Sequence, residues 1–261
     1  MMLTDDINLS MTEAVVLGGA VLGSGGGGQL EMGLRLGQLT VERGIPAVGE
    51  LTKLPDQAQF AIVTTLHSSS SDINKLSPGD CHQTMALLQN KCHENFAGVV
   101  NAGSGAVDSL IGWELASLLN LPLVDMVINP GFHPIPAFNL LEGLTTQTGT
   151  FSLAVVGASS LENGHVELFC QGAPHKLYQV LEQIAYLFNG TFAVAVGPVS
   201  KTWLKTHGNP QLISRTLAVG NRMQCDDGAG EATAIAISQM LGGQVVTFGT
   251  ITDIKWCAFA P

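Results

Sequence analysis

The spacing of apolar positions predicts two helices separated by a glycine run at the start of the chain. Ser10-Met-Thr-Glu13 has the form of a capping box ahead of apolar residues, so we expect a helix over about 11–22. After the glycine run at 23–28, leucines recur at roughly helical spacing over 29–43, and Gly44 follows them. The pattern therefore predicts helix, glycine loop, helix.

Three apolar runs in the next stretch predict strands. The runs at 60–66 and 121–128 have the length and composition of buried strands, and 98–100 forms a shorter one between them. Helices are expected over 78–94 and 107–119. Strand, turn, helix, strand is the order that favours parallel pairing.

The second half of the chain has a different pattern. Apolar runs at 151–156 and 166–170 flank a loop that contains Asn163-Gly164, which predicts an antiparallel pair. Further elements are expected as helices over 175–188, near 209–223 and near 230–241, and as strands over 191–196 and 244–254. The predicted fold is α/β, with a mixed, largely parallel sheet, flanking helices and an antiparallel second half. We expect a single module over 1–261, with a soft internal boundary near 145–150.

Composition and charge limit the classes of function. Hydrophobic residues make up 46% of the chain and the net charge is −10, which argues against nucleic acid or an anionic membrane as partner. No apolar run is long enough to span a bilayer, and Asp5 and Asp6 stand where a secretory signal would carry basic residues. We therefore expect a cytoplasmic protein, and the apolar composition favours a homo-oligomer.

The glycine run is the first candidate for chemistry. Ser24, Gly25, Gly26, Gly27 and Gly28 expose backbone N–H groups without obstructing side chains, and such groups bind anions or polarised carbonyl oxygens at a helix N-terminus. We predict that these five residues bind substrate. Two alternatives stay open. The run could be a close-packed loop, or it could be a dinucleotide site, because it fits G-x-G-x-x-G and Glu50 follows at a suitable distance.

Polar residues at predicted strand ends form the second group of candidates. His67 ends one strand, and Asp125 interrupts another, where a buried carboxylate costs free energy unless it is paired. Asn101 and Ser104 lie in a second glycine turn and are predicted to bind substrate, while His133 lies in a stiff proline-rich loop. The alternatives are a solvent-facing histidine, a capped structural carboxylate, an ordinary tight turn and a proline that only stiffens the loop. His67, Asp125 and His133 together could bind a divalent metal, although their spacing specifies none.

Five segments, in order along the chain, resemble one family. They are Leu17–Gly28, Leu121–Asp125, Gly197–Lys201, Ile213–Gly220 and Gly249–Ile254. Together they resemble the N-terminal domain of the S-methyl thiohydantoin desulfurase-like family, formerly a domain of unknown function. The resemblance implies an α/β domain, found with hydantoinase- and oxoprolinase-type enzymes, that acts on small cyclic amide or thioamide compounds.

The sequence departs from the family pattern in three places. A β-rich C-terminal domain is expected after the last segment, whereas the chain ends at Pro261. The second acid expected after Asp125 is replaced by Met126-Val-Ile128, and the turn around Asn101 lacks an acidic residue. These departures predict a divergent and shortened member, or one subunit of a split enzyme.

Three functional hypotheses follow. In the first, the chain is a hydrolase or lyase of a small cyclic amide: the N–H groups of 25–28 hold a developing oxyanion, His67 or Asp125 is the acid/base group, and His133 positions substrate. In the second, it is a non-catalytic ligand-binding or scaffold subunit of a hetero-complex. In the third, it is a nucleotide-dependent oxidoreductase, which rests on G-x-G-x-x-G and Glu50 alone.

Overall fold

The computed structural model of the 261-residue chain describes most of its length. The described residues are 9–44, 46–67, 78–129, 149–158, 165–187, 191–225, 230–250 and 252–253.

The described residues form eight α-helices. They are α1 (Leu9–Leu22), α2 (Leu30–Arg43), α3 (Pro78–Cys92), α4 (Asp108–Leu119), α5 (Pro174–Leu187), α6 (Lys201–His207), α7 (Leu212–Cys225) and α8 (Glu231–Met240). None of them combines the length and the apolar character that crossing a membrane would require.

One sheet contains all the strands that the described part of the chain forms. They are β1 (Val48–Gly49), β2 (Gln59–His67), β3 (Val99–Asn101), β4 (Leu123–Val127), β5 (Phe151–Ala158), β6 (His165–Gly172), β7 (Thr191–Ser200) and β8 (Asn209–Pro210). Their order is β1-β4-β3-β2-β7-β5-β6, and β8 also pairs with β4.

The sheet has a parallel half and an antiparallel half. β1, β4, β3 and β2 are parallel neighbours in that order. β7 then runs antiparallel to β2, and β5 and β6 continue the antiparallel pattern. This arrangement confirms the predicted α/β class and the predicted antiparallel second half.

Apolar side chains cover both faces of the sheet. Successive residues of β2 alternate between the two faces, so Phe60 and Ile62 join one core cluster and Ala61 and Val63 join the other. The first cluster includes residues of α5 and α6, and the second includes residues of α1, α2, α3 and α4. The helices that border the glycine run therefore share one face of the sheet.

Two predicted elements differ from the structure. The strand predicted over 244–254 was wrong in the part that can be compared, because residues 243–250 and 252–253 form no strand and are exposed. Val245 and Val246 have strong β-propensity, but a strand also needs a neighbour with which to exchange backbone hydrogen bonds. In addition, β7 continues beyond the predicted 191–196 to Ser200, whose side chain then caps α6 by accepting a hydrogen bond from the Trp203 N–H at 3.2 Å. The internal boundary near 145–150 stays a prediction.

Candidate functional site

The glycine loop, residues 23–28, packs directly against the turn between β3 and α4. The Gly27 carbonyl accepts hydrogen bonds from the N–H groups of Val107 at 2.8 Å and Asp108 at 3.1 Å. A Cβ atom on Gly27 would lie 2.5 Å from the Cα atom of Gly105, so only glycine permits this approach. The loop therefore caps the N-terminus of α4 with its own backbone.

This contact lies at the carboxyl edge of the parallel strands. β2 ends at His67, β3 at Asn101 and β4 at Val127, and in α/β sheets ligands bind outside these ends. Thr65, two residues before the end of β2, donates a hydrogen bond to Oδ1 of Asp108 at 3.1 Å. We call this set of contacting residues, namely the glycine loop, the turn 102–107, Thr65 and Asp108, the glycine-loop site.

The N–H groups of the glycine loop divide into two sets. Those of Gly25 and Gly26 bond to the carbonyls of Ala20 and Gly23, at 3.2 and 2.8 Å, and so complete the end of α1. The N–H groups of Gly27 and Gly28 have no hydrogen-bond partner among the described residues. The donors predicted over 25–28 are thus available in the second half of that segment.

The beginning of α2 adds further donors to this set. Gln29, the N-cap residue of α2, makes no side-chain capping bond, and the first bond of the helix runs from the Gly33 N–H to the Gln29 carbonyl. The N–H groups of the first turn are unsatisfied by the helix itself, and the helix dipole favours negative charge beside them. Ser24 and Gly25 are exposed at the mouth of this region.

Asp108 is a residue of this site that the sequence reasoning missed. It is only partly exposed, and burial raises the pKa of its carboxyl group to about 6, against the hydrogen bond from Thr65, which lowers it. In sequence it is an acid in the first turn of a helix, where acids commonly complement the helix dipole. The signal that could have identified it is its position after a glycine turn that ends a parallel strand.

Asp125, in contrast, is bound to α7. Its Oδ1 accepts hydrogen bonds from the N–H groups of Ile213 and Ser214 at 3.0 and 3.2 Å, and its Oδ2 accepts one from the Ser214 hydroxyl. These bonds satisfy the N-terminus of α7 from a neighbouring strand. The geometry favours the capped structural carboxylate over the catalytic role.

Asn101 and Ser104 shape the turn between β3 and α4. The amide of Asn101 donates to the Ser109 carbonyl at 3.0 Å and accepts from the Gly112 N–H at 2.8 Å, with the residue 1% exposed. Ser104 is also buried. Asn101 holds α4 in place, and the contact of either residue with substrate stays a prediction.

Of the two histidines predicted for the site, the structure describes the position of one. His67 is the last residue of β2 and is paired in register with Thr191. His133 lies outside the described residues. The part of the chain that the structure describes contains no cluster of three or more His, Cys, Asp or Glu side chains suited to a metal, and Asp125 of the suggested trio is engaged by α7. A divalent metal with His67 and His133 stays a prediction.

The geometry argues against the dinucleotide interpretation of the glycine run. That fingerprint requires a strand before the glycines, and here the helix α1 precedes them. Glu50, the acid that the interpretation needed, instead forms an exposed ion pair with Lys53 at 3.0 Å. The glycine run therefore lacks the strand that the fingerprint requires, and the third functional hypothesis loses its structural support.

The fold and the site define an α/β protein with a glycine loop packed at the carboxyl edge of its parallel strands. Residues 10–127 match the model of the S-Me-THD-like family, N-terminal domain. This is the family that the glycine signature indicated, and the match covers the N-terminal part of the chain. The match includes the whole glycine-loop site.

A solved structure supports the fold beyond those residues. The chain is similar to the crystal structure of a protein from Chromobacterium violaceum, with a TM-score of 0.69 and 19% sequence identity, over 89% of this chain. It spans 65% of the length of that solved chain. No curated protein matches the sequence.

Proposed function

We propose that the protein is an enzyme that binds a small cyclic amide or thioamide at the glycine-loop site and acts on its carbonyl group. The observation that carries this proposal is the position of unpaired backbone donors, those of Gly27 and Gly28, beside a partly buried acid at the carboxyl edge of the parallel strands. The match to the S-Me-THD-like family supports the same class of substrate.

The roles follow from the chemistry of carbonyl addition. The N–H groups of Gly27, Gly28 and the first turn of α2 would bind the carbonyl oxygen and the negative charge that develops on it. A neutral cyclic amide suits this site, because its one acidic side chain is Asp108, whose pKa is raised. His67 and His133 are proposed to assist, as an acid/base group and as a substrate-positioning group.

A binding experiment tests this proposal. Titration calorimetry of the full chain with hydantoin, a thiohydantoin and a simple lactam should detect binding of at least one compound. That compound should also raise Tm, because a ligand that binds only the native state stabilises it by mass action. Thr65→Val should leave that affinity within about threefold, because Thr65 contacts Asp108 and the ligand is held by the backbone donors. No binding by any of the three compounds would contradict the proposal.

A second candidate is a ligand-binding or scaffold subunit that needs a partner. It is favoured by an exposed apolar surface on α8 and the residues after it, where Val246 is 89% exposed. The other large apolar side chains exposed there are Ile235, Met240, Leu241, Val245 and Phe248. If this surface joins subunits, light scattering should show an oligomer that Val246→Glu dissociates and Gln244→Glu leaves intact.

A further inference from the structure

The carboxyl group of Asp108 has one oxygen held and one oxygen available. Oδ1 accepts the hydrogen bond from Thr65 at 3.1 Å. Oδ2 faces the glycine loop, since a Cβ atom on Gly27 would lie 3.1 Å from it. Among the described residues, Oδ2 has no hydrogen-bond partner. It is not one of the fully buried side-chain polar atoms that lack a partner. Asp108 is partly exposed, and this oxygen lies beside the backbone donors of the loop.

The surroundings of this carboxyl group suit proton exchange near neutral pH. Burial raises its pKa to about 6, so the protonated and the ionised forms are both populated there. The adjoining elements carry other titratable residues, among them His67 at the end of β2, Asp80 and Cys81 on α3, Glu31 in the first turn of α2, and Glu114, which pairs with Arg43. Within the described residues, burial and the Thr65 hydroxyl account for the shift.

We propose that Asp108 is the group that transfers the proton in the glycine-loop site, and that Thr65 is the positioning residue that holds its carboxyl group there. This inference rests on the proposed function. The ionised carboxyl takes a proton from water as the water oxygen bonds to the ring carbonyl carbon. It returns that proton to the ring nitrogen as the carbon–nitrogen bond breaks. Each turnover consumes one cyclic amide and one water and gives one ring-opened acid. Asp108 is again ionised at the end.

The kinetic test uses the full chain with hydantoin as the probe, over pH 5 to 9. The wild-type kcat/KM should rise through an apparent pKa of about 6. Asp108→Asn should lower kcat at least about 100-fold and change KM less than about threefold. Thr65→Val should shift the rising limb upward, because the hydroxyl lowers the pKa of Asp108, and Thr65→Ser should restore it. Turnover at the wild-type rate in Asp108→Asn, or an unmoved limb in Thr65→Val, would overturn the inference.

A second measurement separates this inference from the proposed function. If the wild type neither binds nor opens any cyclic amide, the proposed function fails, and labelling then tests Asp108 alone. A water-soluble carbodiimide with an amine nucleophile reacts with the protonated, accessible carboxyl group, so at pH 6 it should label Asp108 faster than the exposed Glu42, as read by peptide mass spectrometry. Faster labelling of Asp108, lost in Asp108→Asn, supports its proton-carrying role. Labelling no faster than that of Glu42 overturns it.

Discussion

Two aspartates belong to the parallel half of the fold, Asp125 within β4 and Asp108 at the start of α4, and their neighbours assign them different tasks. The carboxylate of Asp125 accepts three hydrogen bonds from α7, two of them from its backbone. Asp108 accepts one hydrogen bond, from Thr65, and keeps its second oxygen beside the glycine loop. The α7 region is therefore built for stability, while the glycine-loop region retains an acid and backbone donors that nothing in the described chain satisfies.

The comparison shows that the position of an acid in the sheet does not by itself indicate a catalytic role. The two residues differ in whether the carboxylate accepts hydrogen bonds from the N-terminus of a helix. At Asp125 the first turn of α7 donates them. At α4 the Gly27 carbonyl accepts the hydrogen bonds of the Val107 and Asp108 N–H groups, so the carboxyl group of Asp108 does not cap its own helix.

The largest expected effect lies in the α7 region, where α1 and α7 touch backbone to backbone. A Cβ atom on Gly220 would lie 1.7 Å from the Ala14 carbonyl oxygen, which cannot move aside without its helix. Gly220→Ala should therefore lower the free energy of unfolding by about 3 kcal/mol in urea denaturation. Gly49→Ala is the matched control, because the nearest atom to its new methyl group is 3.9 Å away. Equal stability of the two variants would contradict the close packing of α1 on α7.

Removal of the α7 cap comes next. Asp125→Ala leaves the N–H groups of Ile213 and Ser214 without their acceptor, which should cost about 2 kcal/mol of stability. Asp125→Asn keeps one acceptor oxygen and should cost less. Neither variant should change the affinity for hydantoin by more than about twofold beyond the loss of folded protein. A selective loss of binding in a folded Asp125→Asn variant would return Asp125 to the site.

Asp108→Asn should have the opposite effect on stability. The pKa of Asp108 is raised from 3.8 to about 6 on folding, so the folded state binds more protons between these values and wild-type stability falls as pH rises through that range. The variant escapes this loss, and by about pH 7 it should be more stable than the wild type by up to about 3 kcal/mol, the free energy that about two pKa units represent. Below about pH 4 the gain should vanish. Thermal unfolding across pH measures this, and a gain that does not depend on pH would contradict the assigned cause.

The smallest effect is expected at the tip of the glycine loop. Gly25 has φ +84°, and a Cβ atom there meets nothing within 4 Å, so Gly25→Ala should cost only about 1 kcal/mol of backbone strain. Gly25→Asn should recover part of it, because asparagine tolerates the left-handed region. A much larger loss, or no difference between alanine and asparagine, would show that the tip has contacts beyond those described.

The element order could be predicted because it depends on local periodicity. The apolar runs of β2 and β4 and the strand, glycine turn and helix between them identified the parallel half correctly, and the run around Asn163-Gly164 identified the β5–β6 pair. Val245 and Val246 misled for a physical reason, since β-propensity describes a residue's fit to a sheet and cannot supply the neighbouring strand.

The site could be predicted only in part. The glycine signature marked the correct segment, but which N–H groups are free depends on how α1 ends. Asp125 and Asp108 could not be ranked from sequence, because their partners are distant along the chain: Asp125 meets Ile213 across 88 positions, and Asp108 meets Thr65 across 43.

The most direct test of the account is a carbon-13 NMR titration of the aspartate side chains in the full chain, with and without hydantoin. The signal missing from Asp108→Asn identifies the carboxyl group in question. The account predicts a midpoint of about 6 for that signal and a displaced midpoint when hydantoin is bound. A midpoint near the ordinary value of about 3.9, unchanged by hydantoin, would contradict it.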